Sequence, residues 1–176
     1  MTPAFLLAVV LAAAPNVGEV APDFTVKDTD GHELTLSKLV EHGPVVLAFF
    51  PKAFSGGCTR ELTAYRDQFA DIEKHHATII AISTDDTETQ AKFKASLKAQ
   101  YAFIGDNDAA LVKKYDTKIP VLSLSKRVTF VVGPGRKVLS KQEGGDAIDP
   151  TSAVQACTLI AAESMKFVTG ADAGTH

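Results

Sequence analysis

Two cysteines in 176 residues are too few for a disulfide scaffold and too few for a structural zinc site. The five histidines (His32, His42, His75, His76 and His176) fall at no metal-ligand spacing, so no metal is implied. His75 and His76 are expected where a helix ends, favoured there by its dipole. Charge of one sign is not in excess either. Eighteen Lys and Arg against 21 Asp and Glu leave −3, which argues against a nucleic-acid or anionic-membrane surface. The apolar run at residues 4–13 is too short for an ordinary membrane span. No internal repeat, linker or second domain is visible. The chain is one domain's worth, long enough to bury a core without staples.

Ala12-Ala13-Ala14 closes the apolar run like a small-residue cleavage site, which makes residues 1–14 a signal peptide for export to the periplasm. Against that, no Lys or Arg precedes the run and Pro15 follows it directly. The other reading is an N-terminal extension on a cytoplasmic protein. Residues 168–176 are expected to form a flexible tail.

What is present centres on residues 45–61. Six apolar residues at 45–50, rich in β-formers, read as a buried strand. Pro51 stops it, and Ser55-Gly56-Gly57 form a tight loop. After Cys58, Leu62, Tyr65, Phe69 and Ile72 recur at helical spacing, so a helix begins at or just before the cysteine. Unpaired N–H groups and the macrodipole at a helix N-terminus favour an anion, here a reactive thiolate. The plainer reading is a packed cysteine, with Ser55 capping the helix through the Cys58 N–H.

Around this unit, residues 24–26 and 33–36 flank the turn signal Asp30-Gly31 as a hairpin, with a short helix at 37–41. A strand at 78–83, a helix at 86–98, a weaker strand at 102–104 and a short helix at 109–115 follow. That alternation is the pattern of parallel strands with helices on the sheet faces. Residues 126–132 then read as a strand, Gly133-Pro134-Gly135 as a turn and 137–142 as the hairpin partner. Asp149-Pro150 open a last helix, with Asp as N-cap and Pro in the first turn.

Pro51, Ser55, Cys58 and Glu61, spaced Pro-x-x-x-Ser-x-x-Cys-x-x-Glu, closely resemble the peroxidatic signature of peroxiredoxins. The family more often has Thr at the position of Ser55, and both supply a hydroxyl. Residues 17–24 resemble the opening segment of the same family, and Arg127-Val128-Thr129-Phe130 its Arg-x-[Ser/Thr]-Phe strand. The resemblance covers residues 17–167 as one domain. It is similar to the bacterioferritin co-migratory group of the alkyl hydroperoxide reductase and thiol-specific antioxidant superfamily.

The resemblance implies an α/β, thioredoxin-like fold with an N-terminal β-hairpin elaboration and a central mixed sheet flanked by helices. It implies a thiol-dependent peroxidase that reduces hydrogen peroxide and organic hydroperoxides through a cysteine sulfenic acid. Cys58 would be the nucleophile, Ser55 and the N–H groups near Gly57 and Cys58 would hold the peroxide oxygens, and Pro51 would wall the thiol from water. The family's arginine, here Arg127, faces the thiol, whereas on its own an arginine opening a strand reads equally as a solvated edge charge. Glu61 would hold Arg127, while Lys126 and Arg60 face solvent. No cofactor is implied beyond an external thiol reductant such as thioredoxin, glutaredoxin or a small thiol. The partners expected are the peroxide and that reductant, with neither nucleic acid nor membrane, on a monomer or homodimer.

Resolution of the sulfenic acid departs from the commoner family types. The resolving position five residues after Cys58 is Thr63, and no Val-Cys-Pro motif occurs. Cys157 remains, and its place near Val154, Ile160 and Ala161 on one face of the last helix makes core packing the default over a resolving role. A one-cysteine cycle is therefore expected. A thiol-disulfide oxidoreductase would need Cys-x-x-Cys, but position 61 is Glu61. A copper carrier would need a second nearby cysteine and a downstream histidine. A non-catalytic thioredoxin-fold binding module would leave the conjunction of Pro51, Ser55, Cys58 and Arg127 unexplained.

Overall fold

The computed structural model describes the backbone of residues 13–170 and the side chains of residues 13–160. The expected signal peptide or extension therefore lies almost wholly outside the described residues, and the tail beyond residue 170 lies outside them too.

Strand β3 (Val45–Phe49) is buried at every position. It pairs in parallel with β4 (Thr78–Ser83) and antiparallel with β6 (Val128–Val132), which accounts for its unbroken apolar sequence. Strand β5 (Ala102–Gly105) extends the parallel side, and β7 (Val138–Glu143) extends the antiparallel side. The order across the sheet is β5-β4-β3-β6-β7, the mixed sheet expected, with β1 (Thr25–Lys27) and β2 (Glu33–Thr35) forming the separate N-terminal hairpin.

Alternate residues of β3 serve opposite faces, as the two-residue period of a strand requires. Val46 and Ala48 pack under α2 (Gly56–Asp67), α3 (Phe69–Glu73), α4 (Thr87–Leu97) and α6 (Thr151–Gly170), with Leu62, Tyr65, Ile72, Phe93 and Cys157. Val45, Leu47 and Phe49 pack against Phe24, α1 (Leu36–Leu39) and α5 (Ala110–Lys114). There Phe49, Tyr115 and Phe130 form a three-ring cluster with centroids 5.1–6.0 Å apart.

The N-terminal segment runs along the sheet from one side to the other. Gly18 N donates to Val138 O, Val138 N donates to Glu19 O, and Ala21 N donates to Arg136 O, each at 2.8 Å. Further on, Thr29 N donates to Phe103 O of β5 (2.9 Å). One stretch of about a dozen residues thus touches both outer strands.

Two boundaries differ from expectation. The helix expected to continue from Cys58 through Ile72 breaks at Gln68 (φ −99°, ψ 7°), so Phe69 and Ile72 belong to α3. The break turns Phe69 toward Tyr101, with ring centroids 6.4 Å apart. Lys126 and Arg127 precede β6 rather than belonging to it, and the Arg127 carbonyl accepts from Gly144 N at 2.9 Å. His75 and His76 lie just past the end of α3, as expected, and Thr158 of α6 meets His75 Nε2 at 3.2 Å.

Candidate active site

The apolar run of β3 gives way at Pro51 to a turn of residues 51–55, and α2 starts at Gly56. Cys58 is the third residue of that helix and is completely buried. Ser55 stands at the N-cap with extended backbone (φ −75°, ψ 146°), and its carbonyl accepts from Thr59 N at 2.8 Å. Its hydroxyl does not cap the helix through the Cys58 N–H, the plainer expectation. It donates back to Lys52 O at 3.0 Å and closes the turn instead. With no side-chain cap and no acidic residue in the first turn, α2 keeps its leading N–H groups available to an external anion.

Arg127 reaches this helix start from just before β6. Its Nη2 lies 3.4 Å from Cys58 Sγ, and its Nη1 donates to Glu61 Oε2. Gly57 leaves room for the approach, because a Cβ there would stand 3.0 Å from Nη2 and the guanidinium would have to give way slightly. The edge-charge alternative for Arg127 does not hold, since its side chain is only 14% exposed and ion-paired. Lys126 and Arg60 are exposed, as expected.

Glu61 is completely buried one turn after Cys58. Burial pushes its carboxyl up to about 7, with the Arg127 charge and hydrogen bond pulling the other way. Arg127 in turn is held further toward its charged form by Glu61 and Cys58, against its own burial. Burial outweighs the pairing for the acid, so Glu61 titrates near neutrality rather than as an ordinary carboxylate. The buried phenol of Tyr65, one turn further along α2, sits beside the Thr129 hydroxyl behind this pair.

The turn has a second support that sequence reasoning missed. Asp85, buried just after β4, accepts from Ala53 N (2.8 Å) and Ser83 Oγ (2.7 Å) and pairs with Lys52 Nζ. Gln90 of α4 donates to the same Ser83 hydroxyl. Within the turn Phe54 takes a left-handed backbone (φ 62°) and lays its ring on Phe93 of α4, centroids 4.9 Å apart. In the sequence, Ser83-Thr84-Asp85-Asp86 reads only as the end of a strand and the cap of a helix.

Cys157 faces the same core as Cys58, both thiols are free, and burial pushes Cys157 up to about 11. A group so high is a poor nucleophile at neutral pH. Elsewhere, Asp28, Asp30 and His32 bring ligand atoms within 4.8 Å of one another in the β1–β2 turn, a cluster not foreseen from histidine spacing. Their atoms already have partners: Asp28 accepts from Asp30 N (2.9 Å) and His32 N (2.8 Å), and Asp30 pairs with Lys94. No helix among the described residues is long and apolar enough to cross a membrane.

The AhpC/TSA family model matches residues 17–141. A putative peroxiredoxin of Mycobacterium tuberculosis is 35% identical over 127 residues, which cover 70% of this chain and 82% of that one. A chloroplastic peroxiredoxin Q of Suaeda salsa is 32% identical over 123 residues, covering 69% and 57% of the two chains. The crystal structure of peroxidoxin BcpB from Mycobacterium tuberculosis superposes with a TM-score of 0.76 at 32% identity, over 82% of this chain and 97% of that one. The bacterioferritin comigratory protein of Xanthomonas campestris shares the fold at 21% identity, with a TM-score of 0.70 over 78% of this chain and 92% of its own. The family match takes in the whole stretch from the N-terminal hairpin through most of β7, and by it and the relatives above 30% identity this chain belongs to the AhpC/TSA family, the thiol-dependent peroxidases called peroxiredoxins.

Proposed function

We propose that Cys58 is the peroxidatic thiol of a one-cysteine cycle, carried out by a single domain over residues 17–167. The observation that carries this reading is the Arg127 guanidinium 3.4 Å from Cys58 Sγ at an uncapped helix start. A planar cation so placed favours the thiolate and can orient two oxygens at once, which a lysine does less well. The thiolate attacks the terminal peroxide oxygen, the O–O bond breaks, and the leaving oxygen departs as hydroxide or alkoxide and takes up a proton. Cys58 is left as a sulfenic acid.

The leading N–H groups of α2 and Arg127 stabilise electrostatically the oxygen on which charge develops, while the Ser55 hydroxyl, its proton donated to Lys52 O, is left to accept from the peroxide O–H. Pro51, half-buried where β3 ends, helps exclude water. An external thiol, from thioredoxin, glutaredoxin or a small molecule, then forms a mixed disulfide with release of water. A second thiol regenerates Cys58 and leaves as part of a disulfide. The buried, high-lying Cys157 supports this route over internal resolution. The substrates are hydrogen peroxide and organic hydroperoxides. The Xanthomonas campestris protein of the same fold is described by its alkyl peroxide reduction activity, which favours including the latter.

Peroxide consumption with excess dithiothreitol tests the assignment. Cys58→Ser keeps the shape of the side chain but supplies no nucleophile at neutral pH, so turnover should vanish while the fold persists. Turnover by that variant close to the unmodified protein's would refute it.

A further inference from the structure

We propose that Asp85 is a positioning residue for peroxide attack, setting the turn from which Ser55 and the start of α2 are presented to the substrate. The inference rests on the peroxidase reading above and deepens it. Asp85 lies outside the strand–loop–helix that carries the thiol, yet it is bonded to that turn and not to the thiol. Its carboxylate accepts from Ala53 N at 2.8 Å and pairs with Lys52 Nζ. It also accepts from Ser83 Oγ at 2.7 Å, and Ser83 Oγ accepts from Asp85 N at 3.2 Å. Gln90 fixes the same hydroxyl from α4. The residue is 4% exposed, and these donors hold its carboxylate below the usual range despite burial. It stays an anion with both oxygens engaged.

What Asp85 holds is a conformation the turn would not keep alone. Phe54, between Ala53 and Ser55, adopts a left-handed backbone that residues with a Cβ rarely take. Such strain persists where neighbours over-determine it, and here the neighbours are the Asp85 bond to Ala53 and the Phe93 ring under Phe54. Ser55 then bonds Lys52 O and opens α2. If the Asp85 bond is lost, Phe54 can relax, and Ser55 and the N–H groups of Gly56 and Gly57 shift together relative to Cys58. Cys58 itself stays anchored by its burial among Leu62, Tyr65 and Val131 and by Arg127. The thiolate therefore survives while the seat for the peroxide oxygens is displaced. Displacements of about 1 Å at a reacting centre cost on the order of a hundredfold in rate.

The experiment compares two reactions of the same thiolate in full-length protein. One is the second-order rate constant for hydrogen peroxide, which needs the seat. The other is the rate constant for iodoacetamide at a pH where the thiol is fully ionised, which does not. Asp85→Ala should lower the peroxide constant on the order of tenfold to a hundredfold, leave the iodoacetamide constant within about twofold, and melt cooperatively. Asp85→Asn, which keeps the shape and one accepting oxygen, should fall between this variant and the unmodified protein. An unchanged peroxide-to-iodoacetamide ratio in both variants overturns the proposal. So does loss of cooperative melting in Asp85→Asn, which would make Asp85 a structural residue only. Failure of the underlying reading looks different: the unmodified protein would then react no faster with peroxide than Cys58→Ser does.

Discussion

Glu61 ties a single proton to the buried pair it forms with Arg127. Its folded carboxyl is raised to about 7 from the ordinary 4.5, because burial outweighs Arg127. Between those two values the folded chain holds a proton that the unfolded chain has released. The stability owed to that proton is fully present below about pH 4.5 and is lost as pH rises through about 7. A displacement of that size corresponds to at most about 4 kcal/mol. Urea unfolding at pH 4.5, 6 and 7.5 should therefore show the intact protein losing stability relative to Glu61→Gln over that window. Parallel curves for the two proteins would mean that Arg127 keeps Glu61 ionised throughout. The residues that the structure brings together locally were legible in the sequence: Cys58, Ser55, Glu61 and Pro51 lie within one short motif, and Arg127 stands just before a recognisable strand. Asp85 was not, because it stands 33 positions beyond the lysine it pairs with and its nearest signal is an ordinary helix cap.

Among the elements, α2 and α6 meet the same sheet face with different duties. The start of α2 was legible because Gly and Ser punctuate it. Its end was not, since Leu62, Tyr65, Phe69 and Ile72 keep helical spacing straight across the break at Gln68 and only the backbone reveals it. Helix α6 turns Ala153 and Cys157 into the core, and both are completely buried. Cys157→Ala should accordingly cost about 1 kcal/mol of stability, the loss typical of a small buried group. Turnover with excess small thiol should stay nearly constant, as followed by peroxide consumption and thermal melting. Accumulation of sulfinic acid on Cys58 in that variant, seen by intact mass after repeated peroxide, would instead make Cys157 the thiol that traps the sulfenic acid.

For the molecule as a whole, the sheet's make-up followed from the order of its segments. Strands separated by helices gave the parallel half, and the closing hairpin through Gly133-Pro134-Gly135 gave the antiparallel half. The position of β6 beside β3 had no local signature, yet it is what brings Arg127 over the helix start. Likewise nothing in residues 16–29 announces that they reach both outer strands. That reach has a consequence for solubility. Open strand margins are templates on which a second molecule can add, and proteins blunt them by covering. Here one segment occupies the margin of β7 at Val138 and that of β5 at Phe103. A variant lacking residues 1–20 loses the cover at Val138 but keeps the bond from Thr29 to Phe103. It should show concentration-dependent association by light scattering and, in hydrogen exchange, faster labelling of the Val138 amide than of the Thr29 amide. A variant that stays at the parent's mass at every concentration would mean that β7 is protected by other means. Association would show that the same segment, which opens the folded domain, is what keeps copies of the enzyme from polymerising through their sheets.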